Sequence, residues 1–442
     1  MRLSDLASGH TLVLGFGREG RALEGALRTR AIDARVSVYC DRTPDPLPAH
    51  WSLLSGSIEA LPFVPDRVLR SPGFPVDRAP LPAWRARGIE VTCISSLWFG
   101  ERPDARVVAV TGSKGKSTTA SLIAHLLRAG GLEAALGGNI GVPMLDLLDT
   151  RADVFVIELS SYQLSDLDGH VDVGVITRLF PEHLDWHGGA EAYYAAKLRL
   201  AALRRGGPLF INAADPLLRA AVDGFSDVKF TNREDCLQAA ADGVYEHGRL
   251  RLAAARSPLP GRHNLDNLAL AAAVSEAVLD CQLDLDAALQ GFHPLPHRLE
   301  RLKMDNGRVW INDSIATTPY ATRAALDACA DPIVLLLGGL ERGQDWQPVI
   351  DGLRGRAPVT LVTLPDNGPV AAARLVEAGV VAADRVRPVE TIEQAVAQAA
   401  ECCPVGGTVL LSPGAPSFPQ FKDFEDRGRR YARAVAALPA RR

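Results

Sequence analysis

The sequence predicts an α/β protein of three domains built on parallel sheets, and three observations carry that expectation. Short β-branched runs alternate with helical stretches: Thr11-Leu-Val-Leu, Val107-Val-Ala-Val, Val154-Phe-Val-Ile, Val173-Gly-Val-Ile, Ile333-Val-Leu-Leu-Leu, Val359-Thr-Leu-Val and Val409-Leu-Leu. A chain of 442 residues is long for one core, since domains usually run to roughly 100–200 residues. Breaks are marked by Arg102-Pro-Asp-Ala and by the Pro-rich stretch Phe292-His-Pro-Leu-Pro-His. The expected domains are therefore 1–104, 105–296 and 297–442.

Composition narrows the function. With 48 Lys plus Arg against 52 Asp plus Glu, the formal charge of −4 gives no basic field for nucleic acid. No apolar run approaches the ~20 residues of a membrane span, and the opening Met1-Arg2-Leu3-Ser4-Asp5 lacks a signal-peptide core. Seven scattered cysteines fit free thiols in a reducing compartment. A cytoplasmic protein with neither nucleic-acid nor membrane partners is expected.

The first strand runs into Gly15-Phe-Gly17-Arg18-Glu-Gly20, and Asp41 follows about twenty residues later at the end of Val36-Ser-Val-Tyr-Cys. The glycines let a phosphate approach the N-terminus of the next helix, where free N–H groups favour an anion. The acid could hold a ribose or base. The same residues would also serve as a tight turn without ligand, and they do not distinguish a nicotinamide cofactor from another nucleotide.

Thr111-Gly112-Ser113-Lys114-Gly115-Lys116-Ser117-Thr118 follows the second strand and opens an amphipathic helix with Leu122, Ile123, Leu126 and Leu127 on its apolar side. This is a shortened P-loop, with Val110 where the first glycine of the full spacing would stand. Its backbone N–H groups would cradle phosphates, Lys116 would reach the β and γ phosphates of ATP, and Ser117 would offer a hydroxyl to Mg²⁺. Kinase, hydrolase and ligase chemistry all remain open here.

Glu158 ends the strand Val154 to Ile157, where it could hold Mg²⁺ or merely cap the strand. The segment Glu182-His183-Leu-Asp185-Trp-His187 is dense in oxygen and imidazole donors, although Mg²⁺ prefers oxygen. Lys197, on the helical stretch Glu191-Ala-Tyr-Tyr-Ala-Ala-Lys, reads by itself as a solvated helix residue. The alanine-rich stretch from Ala269 to Ala277 needs no more than helix propensity to explain it.

Taken in order, Thr111 to Ser117, Gly138-Asn139-Ile-Gly141, Glu158-Leu-Ser160-Ser, His183-Leu-Asp185, Ala195-Ala-Lys197 and Gly261-Arg-His-Asn264 resemble the Mur ligase family. Pro296-His-Arg298, Asn312-Asp313-Ser314, Leu337-Gly-Gly339 and Ser412-Pro-Gly-Ala-Pro-Ser417 continue the resemblance over nearly the whole chain. It implies an N-terminal Rossmann-like domain for a UDP-linked substrate, a central P-loop ATPase-like domain and a C-terminal Rossmann-like domain for an amino acid. It also implies acyl-phosphate chemistry, with ATP and Mg²⁺ as cofactors; a monomer is expected.

Within the family, the glycine loop and the closing Phe421-Lys-Asp-Phe424-Glu-Asp-Arg-Gly428 resemble the glutamate-adding branch of peptidoglycan synthesis. The resemblance implies UDP-N-acetylmuramoyl-L-alanine as one substrate, held by Gly15, Gly17, Arg18, Asp41, Asn139 and Ser160. Asn267 would approach adenine, with Arg298 and Asp313 also on the nucleotide. Ser117, Glu158 and His183 would bind metal, and Lys197 matches a lysine that the family carbamylates, making it a ligand for a second Mg²⁺. Lys116, His183 and Lys197 are thus the expected catalytic residues.

Thr317, Arg342, Ser417 and Phe424 match the amino-acid positions. Ile315 and Arg342 depart from the family, each standing where a lysine would be expected, and Arg342 can still grip a carboxylate in a planar fork. D-glutamate is the default co-substrate, and a variant branch with a similar Ile-x-Thr-Thr-Pro run adds L-glutamate. Rival readings are a ligase adding another amino acid or glutamating a folate, a nicotinamide-dependent dehydrogenase, and a non-catalytic UDP-sugar sensor.

Overall fold

The computed structural model describes residues 1–40, 47–302 and 307–438. Asp41 lies outside the described residues. Contacts divide the chain into two compact units, Met1–Arg256 with Asp266–Phe292, and Ser257–Leu265 with His293–Arg442. The break at Phe292 falls in the Pro-rich stretch, while the first two expected domains share one unit.

The N-terminal sheet of the first unit is parallel, formed by β1 (His10–Leu14), β2 (Arg35–Tyr39), β3 (Ser52–Leu54), β4 (Arg67–Arg70) and β5 (Glu90–Cys93) in the order β3-β2-β1-β4-β5. The order reverses beside β1, and a crevice opens at such a point beyond the carboxyl ends of the strands. Gly15 and Ser71 leave β1 and β4 there, with Gly15 N–H donating to Tyr39 and Ser71 N–H to Leu14, each at 2.8 Å.

A second parallel sheet holds β6 (Val107–Thr111), β7 (Ala134–Gly138), β8 (Val154–Glu158), β9 (Val173–Ile176), β10 (Leu209–Asn212) and β11 (Val228–Thr231), ordered β11-β10-β9-β6-β8-β7. Strand β6 is buried along its whole length because helices cover both faces, which is why it reads as an unbroken apolar run. The helix Lys116–Ala129 returns over the sheet and buries Leu122, Ile123, Leu126 and Leu127 completely. At roughly 1.5–3 kcal/mol for each side chain, this packing anchors the helix and leaves its N-terminal loop available for ligand. The small strands β12 (Gln238–Ala239), β13 (Gly243–Glu246) and β14 (Arg249–Ala253) are antiparallel.

The second unit carries β15 (Glu300–Leu302), β16 (Val309–Asn312), β17 (Ile333–Gly339), β18 (Thr360–Asp366), β19 (Val386–Pro388) and β20 (Thr408–Leu411), ordered β15-β16-β20-β17-β18-β19. All pairs are parallel except β15 with β16. All the runs read as strands from the sequence are strands here. Among the described residues, no helix is long and apolar enough to cross a membrane.

Candidate functional site

A cavity of about 480 Å³ lies at the carboxyl edge of the N-terminal sheet, lined by the glycine loop from Gly15 to Glu19, by residues 71–74, by Gly138 at the end of β7, and by Asn139 and Pro143 after it. Gly15 holds a φ of +85°, and an added Cβ would crowd Ser71 at 3.1 Å. Gly17 caps the helix Arg18–Thr29, and the Arg18 guanidinium donates to the Gly141 carbonyl. Arg18 therefore reaches from one sheet's loop to the other's.

Residues 71–74 are clamped from beneath. Arg70, fully buried, donates to the carbonyls of Ser71, Pro72 and Phe74, and binds Asp166 through two nitrogens at 2.9 and 2.5 Å. Trp186 adds an indole N–H to the Gly73 carbonyl at 3.1 Å. Nothing in the sequence marked Arg70, because its partners are up to 96 residues away.

The P-loop forms at the end of β6, between Glu158 of β8 and Thr177 after β9. Gly112 has a φ of +143°, and a Cβ there would come within 2.0 Å of the Thr177 hydroxyl. That hydroxyl donates to the Lys114 carbonyl at 2.6 Å, which ties the loop to the neighbouring strand. Ser113 is held by Arg178, Phe180 and Tyr193. Gly115, in the left-handed region, leaves room for Asn267, whose Oδ1 lies 2.5 Å from where a Cβ would be. Asn267 is thereby placed beside the loop. Ser117 is buried and Thr118 half-buried in the first turn of the helix.

Lys116 donates to the carbonyls of Gly112 and Ser113 at 2.9 and 3.0 Å. Lys197 donates to the same Gly112 carbonyl at 2.7 Å and is only 2% exposed. The reading of this lysine as a solvated helix residue is overturned, because its helix packs against the P-loop. Burial, reinforced by the charge of Lys116, drives its amine well below the usual lysine range despite Glu182 and Glu158 nearby.

Glu182 bonds Lys114 at 2.8 Å. Burial would raise its acid, but Lys114 and Lys116 outweigh that and hold it below the ordinary carboxylate value. The His183 ring, against Tyr162 at 4.9 Å, is lowered chiefly by desolvation, against the opposing charge of Glu182, with Lys114, Lys197 and Lys116 adding to the effect. Ser160 caps the helix Ser161–Leu164 in a reciprocal box with Gln163.

Asn139 joins the cavity to the phosphate site. It lines the cavity, and its side-chain amide donates to Glu158 Oε1 at 2.8 Å. Glu158 is 1% exposed, and among the described residues its Oε2 has no hydrogen-bond partner. A buried carboxylate oxygen without a donor suits a divalent cation. Among the described residues, no three His, Cys, Asp or Glu side chains form a ready-made metal cluster. The Glu158 carboxylate and the Ser117 hydroxyl are oxygen donors of the kind that Mg²⁺ prefers.

In the second unit, the Asp313 carboxylate accepts from Leu299 N–H at 3.2 Å and from Ser412 Oγ at 2.9 Å. Arg427, fully buried, donates to Ser314, Gly338 and Ala415, joining the ends of β16, β17 and β20. Sequence reasoning saw Arg427 only as a letter of the closing motif. Ser417 is buried, Thr317, Arg298 and Phe424 are half-buried, and Arg342 is exposed on a turn where its N–H donates to Gln344. Ile315 is half-buried, with its N–H on the His297 carbonyl.

The family described as Mur ligase middle domain matches residues 110–275, and that described as Mur ligase, glutamate ligase domain, matches residues 297–414. A UDP-N-acetylmuramoyl-L-alanine--L-glutamate ligase of Micromonospora sp. is 41% identical, with all of each chain covered. One of the same name from Xanthomonas euvesicatoria is 39% identical over 100% of this chain and 98% of its own. The fold is similar to that of the Thermotoga maritima UDP-N-acetylmuramate-alanine ligase MurC, with a TM-score of 0.61, 17% identity, and 97% and 100% of the two chains covered. It is also similar to the MurF ligase of the same organism solved with ADP, with a TM-score of 0.59, 15% identity, and 98% and 97% covered.

Proposed function

The chain belongs to the Mur ligase family of ATP-dependent ligases, and from that premise we propose that it joins L-glutamate to the free carboxylate of UDP-N-acetylmuramoyl-L-alanine in peptidoglycan synthesis. The observation that carries this reading is Asn139, which lines the nucleotide-sized cavity and bonds the Glu158 carboxylate of the phosphate site. A substrate whose nucleotide end sits by Gly15, Gly17 and Arg18 could present its far end to the phosphates of ATP. Family membership also removes the dehydrogenase reading, which left the P-loop unexplained.

The chemistry follows in two steps. The substrate carboxylate attacks the γ-phosphorus of ATP, giving an acyl phosphate and ADP. The glutamate amine then attacks the acyl carbon, phosphate leaves, and the nitrogen loses a proton. The loop N–H groups of residues 112–117 bind the phosphates, and Lys116 exchanges the Gly112 and Ser113 carbonyls for phosphate oxygens. Mg²⁺ on Ser117, Glu158 and His183 would supply positive charge to the crowded phosphate oxygens. Burial lowers the Lys197 amine well below the usual lysine range, which favours the neutral form that reacts with CO₂, and the carbamate would turn it into an anionic ligand.

Arg298 and Asp313 remain assigned to ATP, and Thr317, Arg342, Ser417 and Phe424 to the amino acid, on the family resemblance. The full-length relatives bear the L-glutamate name, so the D-glutamate default gives way to the L enantiomer. Phosphate release from ATP and Mg²⁺ with UDP-N-acetylmuramoyl-L-alanine, measured with either enantiomer, tests this. Release dependent on L-glutamate is expected. Dependence on D-glutamate would overturn the stereochemistry, and no release with either would overturn the substrate assignment.

A further inference from the structure

Arg70 ends β4, and the chain then turns along the cavity through Ser71-Pro72-Gly73-Phe74. Phe74 N–H closes the turn on the Ser71 carbonyl at 3.0 Å, with Pro72 and Gly73 as the central pair. Such a pair can form either of two turns, which differ by rotating the peptide between its members through about half a circle. The alternative requires a positive φ at the glycine, and Gly73 does not hold one.

The Arg70 side chain accounts for the choice. Its Nη1 donates to the Pro72 carbonyl at 3.1 Å and to those of Ser71 and Phe74 at 3.1 and 2.7 Å, while Asp166 holds Nε and Nη2 at 2.9 and 2.5 Å. The Pro72–Gly73 peptide is trans, so its N–H points opposite to the carbonyl that Arg70 grips. Gly73 is exposed and lines the cavity, and a Cβ on it would meet nothing within 4 Å. Pro72 and Pro75 have no N–H, Ser71 N–H donates to Leu14, and Phe74 N–H donates to Ser71. Within residues 71–75, only the Gly73 N–H lacks an acceptor among the described residues.

We propose that Arg70 is a positioning residue for the nucleotide-linked substrate. By holding the Pro72 carbonyl it turns the Gly73 N–H toward the cavity, where that N–H donates to an anionic oxygen of a bound nucleoside diphosphate. With the peptide turned over, the Pro72 oxygen would face the anion and repel it. Arg70 touches no ligand itself and acts through the backbone of the turn. The inference rests on reading the cavity as the seat of the nucleotide-linked substrate.

The first test is calorimetric titration of the full chain with UDP-N-acetylmuramoyl-L-alanine, without ATP. Arg70→Lys keeps the charge but cannot serve three carbonyls and a carboxylate at once. Its affinity should weaken at least about tenfold, the scale of one lost hydrogen bond to a charged group. Affinity for ATP, titrated separately, should change less than about twofold. The second test needs no variant to fold. Isotope labelling of proline carbonyls and glycine nitrogens singles out the amides of Gly73, Gly261 and Gly414. Saturating the wild type with the same ligand should slow hydrogen exchange at the Gly73 amide at least about tenfold.

Ligand bound with Gly73 exchange unchanged would overturn the positioning role and leave the cavity reading intact. So would a folded Arg70→Lys that binds as wild type does, or one that loses ATP affinity equally. Absence of wild-type binding would overturn the cavity reading and this inference with it.

Discussion

Lys197 and Lys116 converge on one acceptor, the Gly112 carbonyl, at 2.7 and 2.9 Å. Burial, and then the repulsion between two amines so close, drives the Lys197 amine well below the usual lysine range. The pair therefore divides the work. In the proposed mechanism Lys116 would meet the phosphates and Lys197 would be the amine open to carbamylation.

Lys116→Ala should lower turnover by about 10³-fold or more, because a positioned charge on the transferring phosphoryl group is worth several kcal/mol. Phosphate release measures it. Near-normal turnover would remove Lys116 from the proposed role.

Lys197→Ala should likewise lose activity, and added short-chain carboxylic acids should restore part of it by replacing the missing anion. A variant fully active without added acid would show that no carbamate is needed. Acid rescue distinguishes this role from simple packing.

Gly112→Ala should lose ATP binding while keeping UDP-N-acetylmuramoyl-L-alanine binding. The added methyl would come within 2.0 Å of the Thr177 hydroxyl, from a backbone at φ +143° that side chains rarely adopt. Titration with each ligand separately tests it, and retained ATP affinity would mean that the loop relaxes without cost.

His187 sets an acid limit on stability. Its imidazole is drawn down to about 4, chiefly by burial, with His183, Lys197 and Arg70 adding to the effect. Below its ordinary value of 6.5 the unfolded chain binds the proton and the folded one does not. Its contribution is fully present above pH 6.5 and is lost as pH falls from there toward 4. Urea midpoints at about pH 7 and about pH 4.5 should separate less in His187→Gln than in wild type. An equal separation would assign the acid sensitivity to other groups.

Arg342→Ala should raise the KM for glutamate about tenfold or more with little change in the KM for ATP, as loss of a charge-assisted bond to a carboxylate predicts. Arg342→Lys should recover part of it. Equal effects on both substrates would place Arg342 outside the amino-acid site.

Both glycine loops were legible in the sequence because their chemistry is local. A glycine that must adopt positive φ, a lysine one residue beyond Gly115 and a helix start all fall within eight contiguous residues, 111–118. The parallel sheets were legible for a related reason, since strands covered on both faces must be apolar throughout. The sequence by itself determined these elements and, through their order, the family.

Tertiary structure alone decided which polar groups lost water. Lys197 reads as an exposed helix residue until its helix is packed against Gly112, 85 residues earlier. Glu19 is an unremarked letter of the glycine loop until Gln163, 144 residues later, and Ser95 cover one of its oxygens. Arg427 gains its meaning from Ser314, 113 residues before it. Burial is a property of the folded surface rather than of any stretch of chain, and it is burial that shifts the acidity of these groups.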